Sequence, residues 1–274
     1  MALSGVVRMF VGKPHHPVGA DGRMALSDHL RELRARILKC VVFIVAGFAI
    51  SLVFFEALLD LVQGPYLAAQ DQLPDGSTQA TTSGAGGGLL LYLKLCGLAS
   101  IVLTSPLWLY QIWAFIVPGL HAREKKWTRV FAAVAGPLFL VGVWLGYVTL
   151  PKGLEILIGF NPDDVVNLVD FNDYLTFFSR TLVVFGIAFE IPLFVVMLNL
   201  AGVVSGKALA THRAWIIVGT FIFAAIATPS ADPFTMTFMA VPMVLLFLIS
   251  EQIAKVNDRR RARRRAELLA GVDQ

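Results

Sequence analysis

The segment LTFFSRTLVVFGIAFEIPLFVVMLNLAG, residues 175–202, decides the class of this protein. It runs for 28 residues with only two charged side chains, Arg180 near one end and Glu190 further along. An α-helix needs about 20 mostly apolar residues to cross the hydrocarbon core of a bilayer. The segment therefore predicts a membrane-spanning helix.

Five further windows of the same kind occur along the chain: Cys40–Phe55, Leu95–Leu120, Val130–Pro151, Ala214–Thr228 and Phe234–Ile253. The composition agrees, since 57% of the 274 residues are apolar and only 15% are charged, whereas soluble domains carry about 25% charged residues. We predict an all-α membrane protein with six transmembrane helices. The fifth window is short for a full crossing, which predicts a hairpin with the sixth that thins the membrane locally.

The distribution of basic residues predicts the orientation of these helices. Seven precede the first window, four follow the second, two follow the fourth and seven follow the sixth, so 20 of 23 lie on one face. The opposite loops carry ten acidic residues. Because cytoplasmic loops are enriched in Lys and Arg, we predict that both termini are cytoplasmic.

Glu190 interrupts the fourth window after nine uncharged residues and is followed by Pro192. An ionised carboxylate at the centre of a bilayer costs about 3 kcal/mol on insertion scales, so the side chain must be protonated, hydrated or paired. Two interpretations remain open. Glu190 is either a functional intramembrane acid or a neutral side chain hydrogen-bonded inside the bundle.

Two carboxylates, Glu32 and Glu124, lie on the basic face close to the ends of predicted spans. Each is surrounded by basic residues, and Glu32 has Arg36 four positions later, which permits an ordinary intrahelical ion pair. A pair of planar carboxylates would alternatively suit a ligand with two guanidinium groups, because each can accept two parallel N–H bonds. Both interpretations are compatible with the residues alone.

Four motifs, in order along the chain, resemble those of the TatC family, the multispanning receptor subunit of the twin-arginine protein translocase. The run His29–Arg36 is similar to the family's amino-terminal motif, and Ser105–Leu120 with Glu124 is similar to its first cytoplasmic-loop motif. Phe189–Pro192 resembles its fourth-helix motif, and Thr228-Pro229 followed by Asp232 resembles its last hairpin. The resemblance covers about residues 28–255.

The resemblance implies a cup-shaped bundle in the bacterial cytoplasmic membrane that binds twin-arginine signal peptides of folded proteins. It also implies recruitment of single-span subunits of the TatA/TatB type into a multimeric complex, with transport driven by the proton gradient. By this resemblance the signal-peptide site comprises Glu32, Glu124, Arg34, Phe115 and Pro118. The intramembrane polar positions are Glu190 and Gln111, and the sensitive positions on the outer face are Pro65 and Asp232.

The motif core leaves a flexible cytoplasmic extension at residues 1–27 and a basic cytoplasmic tail at residues 256–274, which flank a transmembrane domain at residues 28–255. No metal-ligand, cofactor or nucleic-acid-binding motif is evident, and no catalytic motif predicts an enzyme. The alternative function is a proton- or ion-coupled secondary transporter with Glu190 as the carrier. The lack of internal repeats and of a second intramembrane acid disfavours that alternative.

Overall fold

The computed structural model describes residues 26–74, 78–82, 84, 86–120, 125–160, 166–228 and 233–272. These residues form mostly helix, with two short strands. The elements in chain order are α1 (Leu26–Val53), α2 (Phe55–Gln70), β1 (Thr78–Thr81), α3 (Gly87–Leu103), α4 (Ser105–Leu120), α5 (Lys125–Gly159), β2 (Asn167–Asp170), α6 (Phe171–Leu200), α7 (Gly206–Thr211), α8 (Arg213–Ala227) and α9 (Pro233–Val272).

The helices confirm an all-α membrane protein. Within the described ranges, parts of α1, α5, α6 and α9 are each long and apolar enough to cross a membrane, and α3 with α4 forms a fifth candidate bent by 57°. Helix α8 is apolar but has only 15 residues, which at 1.5 Å per residue span about 22 Å of the roughly 30 Å core. Six crossings therefore stay a prediction.

The second predicted window needs correction at its start and in its middle. The helix begins at Gly87 rather than Leu95 and breaks at Thr104, just before Pro106. It continues past Lys94 because the ammonium group of that lysine donates to the hydroxyl of Thr176 at 2.9 Å and to the carbonyl of Asn172 at 3.3 Å. A charge held by polar groups of another helix does not have to end a buried span.

Two ends of the bundle are distinguished by what they carry. The end that we call the basic end is where α1 and α5 begin and where α4, α6 and α9 end. The strand end carries α2, β1 and β2, and there the two strands pair in parallel from Thr78 opposite Asn167 to Thr81 opposite Asp170. This pairing joins two segments, residues 56–94 and 152–174, that hold nine of the 19 acidic residues.

Pro65 lies inside α2 at the strand end and is buried. A proline has no N–H, so the carbonyl of Leu61, four residues earlier, loses its helical donor. The hydroxyl of Tyr147 on α5 donates to that carbonyl at 3.0 Å. The hydroxyl of Tyr174 on α6 donates to the next carbonyl, that of Val62, at 2.6 Å. Pro65 therefore belongs to the contact that holds α2 against the bundle.

The core lies where α5 and α6 cross at close range. A Cβ atom placed on Gly142 would meet the carbonyl oxygen of Phe185 at 2.6 Å, and one on Gly186 would meet the ring of Phe139 at 2.6 Å. The side chains of Phe139, Phe178 and Phe185 are fully buried beside this crossing. The two glycines thus let the helices that carry Glu190 and its neighbours pack closely.

Candidate functional site

A group of side chains joins α1 to α4 at the basic end of the bundle. The guanidinium of Arg36 donates twice to Oε1 of Glu32, from Nε at 3.0 Å and from Nη2 at 2.5 Å. Its third nitrogen, Nη1, lies 3.5 Å from Oε1 of Gln111 on α4. One turn earlier on α1, the ring of His29 stacks on Phe115 of α4 with centroids 4.5 Å apart. We call His29, Glu32, Arg36, Gln111 and Phe115 the α1–α4 cluster.

Helical spacing explains why this cluster forms. Positions 29, 32 and 36 differ by three and four residues, so they share one face of α1, and positions 111 and 115 share one face of α4. Ala35 is 2% exposed on α1, which lets the two helices approach. The side chains of Glu32 and Arg36 stay about one fifth exposed, so the carboxylate is accessible from the surface, and Arg34 is exposed on the same helix.

The structure therefore shows the intrahelical pair that the sequence left open for Glu32. It also shows that this carboxylate binds a guanidinium group, here that of Arg36. Glu124 and Asp232 lie outside the described residues, as does the side chain of Pro118, whose backbone ends α4. Whether Glu32 and Glu124 come together stays a prediction.

Glu190 lies on α6 in a second polar group, inside the bundle. Its Oε2 accepts a hydrogen bond from Nε1 of Trp113 on α4 at 3.2 Å, while its Oε1 is buried without a partner among the described residues. The indole of Trp113 packs on the rings of Phe131 and Phe194. At 1.5 Å per residue, Glu190 lies about 15 Å along α6 from Leu200, closer to the basic end than to the strand end.

The sequence model of the Sec-independent protein translocase protein (TatC) family matches residues 28–242. This chain belongs to the TatC family. It is a multi-pass membrane protein and a subunit of the twin-arginine translocase, in a family that is not enzymatic.

Relatives and solved structures agree with the TatC assignment. The chain is 42% identical to a TatC protein of Frankia casuarinae, over 89% of this chain and 69% of that protein. It is 33% identical to the TatC protein of Escherichia coli K12, over 85% of this chain and 88% of that protein. A crystal structure of the twin-arginine translocase receptor TatC in DDM superposes with a TM-score of 0.69 at 30% identity, and covers 83% of this chain and 99% of that one.

Membership of the TatC family argues against the alternative that the chain is a secondary transporter with Glu190 as the carrier. The family resemblance grouped Gln111 with Glu190 as an intramembrane polar position. In the structure Gln111 contacts Arg36 in the α1–α4 cluster. It lies two residues from Trp113, and helical neighbours at that spacing face different directions. Its grouping with Glu190 stays a prediction.

Sequence analysis missed a buried ion cluster at the basic end of this TatC chain. Glu251 on α9 is 0% exposed and accepts a two-pronged contact from Arg213 of α8, at 2.9 Å from Nε and 2.6 Å from Nη2. Lys255 lies 2.5 Å from the same carboxylate. The available signal was an acid inside the sixth predicted window, four residues before a lysine.

Proposed function

We propose that this TatC-family chain is the receptor for twin-arginine signal peptides of folded precursor proteins. Glu32 and Glu124 bind the two arginines, and Phe115, Pro118 and Arg34 shape the site. The observation that carries this proposal is the two-pronged contact between the Arg36 guanidinium and Glu32 at the partly exposed α1–α4 junction. The site already accepts the functional group that the ligand would bring.

Exchange between Arg36 and a peptide arginine is energetically feasible. An i, i+4 ion pair on a helix surface contributes about 0.3–0.5 kcal/mol, so opening the Glu32–Arg36 contact costs little. A hydrogen bond to a charged group is worth about 1.5–3 kcal/mol. A peptide that engages Glu32 and Glu124 together therefore gains more than the chain loses by releasing Arg36.

The α1–α4 cluster supports the site in other ways. The His29–Phe115 stack fixes α1 against α4, so Glu32 keeps its position relative to the loop that follows Leu120. Glu124 directly precedes Lys125, the first residue of α5, and α5 packs on α4 through the Trp113–Phe131 ring contact. The exposed guanidinium of Arg34 can donate to backbone carbonyls of a bound peptide.

Glu190 is the proposed contact for single-span partner subunits of the TatA/TatB type. Its second carboxylate oxygen is buried without a partner among the described residues, and an unpaired polar group in a membrane gains from a hydrogen bond to a polar residue of another helix. We place the basic end in the cytoplasm, with both termini there, because 20 of 23 basic residues lie at that face. We also propose that the proton gradient drives translocation.

The receptor proposal is tested by peptide binding to the purified protein in nanodiscs. Glu32→Gln and Glu124→Gln should each weaken binding of an Arg-Arg signal peptide by roughly ten- to a hundredfold, since each removes a charged acceptor. The wild type should discriminate against a Lys-Lys peptide, because an ammonium group cannot make the two-pronged contact. Both variants should lose that discrimination, and the effect should shrink in high salt.

Glu56→Gln is the matched control, since it removes an exposed carboxylate from α2 at the opposite end of the molecule. It should leave both affinities unchanged. If Glu32→Gln and Glu124→Gln keep the wild-type preference for Arg-Arg, these carboxylates do not recognise the peptide.

A further inference from the structure

Helix α9 has two different faces where it leaves the apolar region at the basic end. One face packs against α6, α7 and α8 through Phe247, Glu251, Ala254, Asp258 and Arg261. The other face carries exposed apolar side chains that give way, further along the same face, to exposed arginines: Ile249, Ile253, Val256, Arg260 and Arg264. An apolar stripe that turns cationic along one helix face matches the change from hydrocarbon to headgroup at a bilayer surface.

The packed face fixes the helix beyond the apolar region. Asp258 accepts from the backbone N–H of Gly206 at 2.7 Å and from Nδ2 of Asn199 at 3.0 Å. Arg261 donates to the carbonyl of Leu200. These contacts bind α9 to the end of α6 and the start of α7, so the open face has a defined position.

A cleft of about 330 Å³ separates the open face of α9 from the end of α6. Its apolar lining consists of Val196 and Leu200 of α6 with Ile253 and Val256 of α9. Ile253 and Val256 are each nearly half exposed. Clefts of about 300–1,000 Å³ hold small molecules, so the apolar lining has room for part of an acyl chain.

The polar part of the lining carries a positive charge. It is formed by Gln252, Asn257 and Arg260. The amide nitrogen of Asn257 donates to Oδ1 of Asn199, and Gln252 and Arg260 provide further donors. None of the described residues that line the cleft is acidic. Arg260 lies seven residues beyond Ile253, a rise of about 10 Å, and arginine side chains bend back to reach the headgroup layer.

We propose that the α6–α9 cleft binds an anionic phospholipid. An acyl chain lies against Val196, Leu200, Ile253 and Val256, and the headgroup phosphate accepts hydrogen bonds from Arg260 and Gln252. Exposed arginines at 263 and 264 add positive potential further along α9, which favours an anionic headgroup over a zwitterionic one. This lipid site is separate from the α1–α4 cluster and from Glu190.

Native mass spectrometry of the delipidated protein in detergent tests this site, with phosphatidylglycerol and phosphatidylcholine as the two probes. The wild type should retain one phosphatidylglycerol in preference to phosphatidylcholine. Arg260→Gln should weaken phosphatidylglycerol binding about fivefold, which corresponds to about 1 kcal/mol for one basic residue. Arg259→Gln is the matched control, because it removes the same charge from the neighbouring exposed position outside the cleft, and it should change binding less than twofold.

Two further measurements test whether the cleft binds the whole lipid or only its headgroup. Val256→Trp should fill the cleft and weaken phosphatidylglycerol binding while Arg260 is intact, and glycerol 3-phosphate should not compete. Unchanged binding in Val256→Trp, or full competition by glycerol 3-phosphate, overturns the acyl-chain part. Equal losses in Arg259→Gln and Arg260→Gln, or equal retention of the two lipids, overturns the site.

Discussion

Arg36 is bound to Glu32, the carboxylate that we propose binds an arginine of the signal peptide. Its guanidinium donates twice to Glu32 and reaches Gln111 across the α1–α4 junction. In this arrangement Arg36 competes with the peptide whenever Glu32 is the shared acceptor. The strength of that competition is small, since the pair is partly exposed.

Arg36→Gln should therefore raise the affinity for an Arg-Arg peptide by about twofold, the factor that corresponds to about 0.3–0.5 kcal/mol of lost competition. Arg259→Gln is the control, since it removes an exposed arginine from α9, outside the α1–α4 cluster. Peptide titration in nanodiscs measures both variants. A lower affinity in Arg36→Gln would mean that Arg36 takes part in binding rather than competing for Glu32.

Glu190 gives a second prediction at the scale of one residue. Glu190→Gln keeps an oxygen for Nε1 of Trp113 and retains hydrogen-bonding capacity for a partner helix, so site-specific crosslinking to a single-span subunit should stay near the wild-type level. Glu190→Leu should reduce that crosslinking at least fivefold. Capture of the signal peptide at the basic end should persist in both variants. Equal crosslinking in all three proteins would show that Glu190 has only a structural role.

For single residues, the sequence predicts which positions are important for function, but it does not predict which side chains they contact. Glu190 stands out because a charge among apolar residues is costly in a membrane, but its bond to Trp113 joins positions 77 residues apart. Pro65 was predicted only from the family resemblance. Its structural context, the Tyr147 hydroxyl on the carbonyl of Leu61, depends on packing between helices distant in sequence.

Among the elements, α8 and α9 are joined at the basic end by one buried carboxylate. Glu251 is fully buried, while the side chains of Arg213 and Lys255 are 44% and 30% exposed. Removing one member of a buried ion pair usually costs about 3–5 kcal/mol. Water reaches both cations here and reduces that cost.

Glu251→Gln should lower the free energy of unfolding in detergent by about 2 kcal/mol, the figure for a buried pair reduced by the exposure of its two cations. Glu155→Gln is the matched control, since Glu155 forms an exposed i, i+3 pair with Lys152. It should cost less than about 0.5 kcal/mol. Chemical denaturation followed by tryptophan fluorescence measures both variants. Similar losses in free energy of unfolding would show that burial of Glu251 does not strengthen its ion pairs with Arg213 and Lys255.

The spans were predicted from the sequence better than the segments between them. Long apolar windows identify a crossing whatever its neighbours are, which is why α5 and α6 were found. The start of the second span was wrong because Lys94 is charged, and only the structure shows the polar groups of α6 that hold it. The strands β1 and β2 have four residues each and pair across 89 positions, so no local pattern predicts them.

For the whole molecule, the orientation and the number of crossings are linked by α8. If α8 crosses, the end of α9 lies on the same side as the loop between α6 and α7. An α9 end on the opposite side would separate Asp258 from the backbone N–H of Gly206, and these two groups lie 2.7 Å apart. Helix α8 is short, so a crossing requires the bilayer to thin around it.

Three single cysteines in a background without Cys40 and Cys96 distinguish these arrangements. Leu168 at the strand end and Val203 at the basic end are 63% and 64% exposed, which makes them a matched pair, and Ala262 lies exposed on α9. An impermeant thiol reagent should label Leu168→Cys in intact cells, and Val203→Cys and Ala262→Cys only after permeabilisation. Labelling of Ala262→Cys together with Leu168→Cys, but not of Val203→Cys, would contradict both the crossing of α8 and the contact between Asp258 and Gly206. Labelling of Val203→Cys in intact cells would invert the orientation and place the α1–α4 cluster on the wrong side for a cytoplasmic signal peptide.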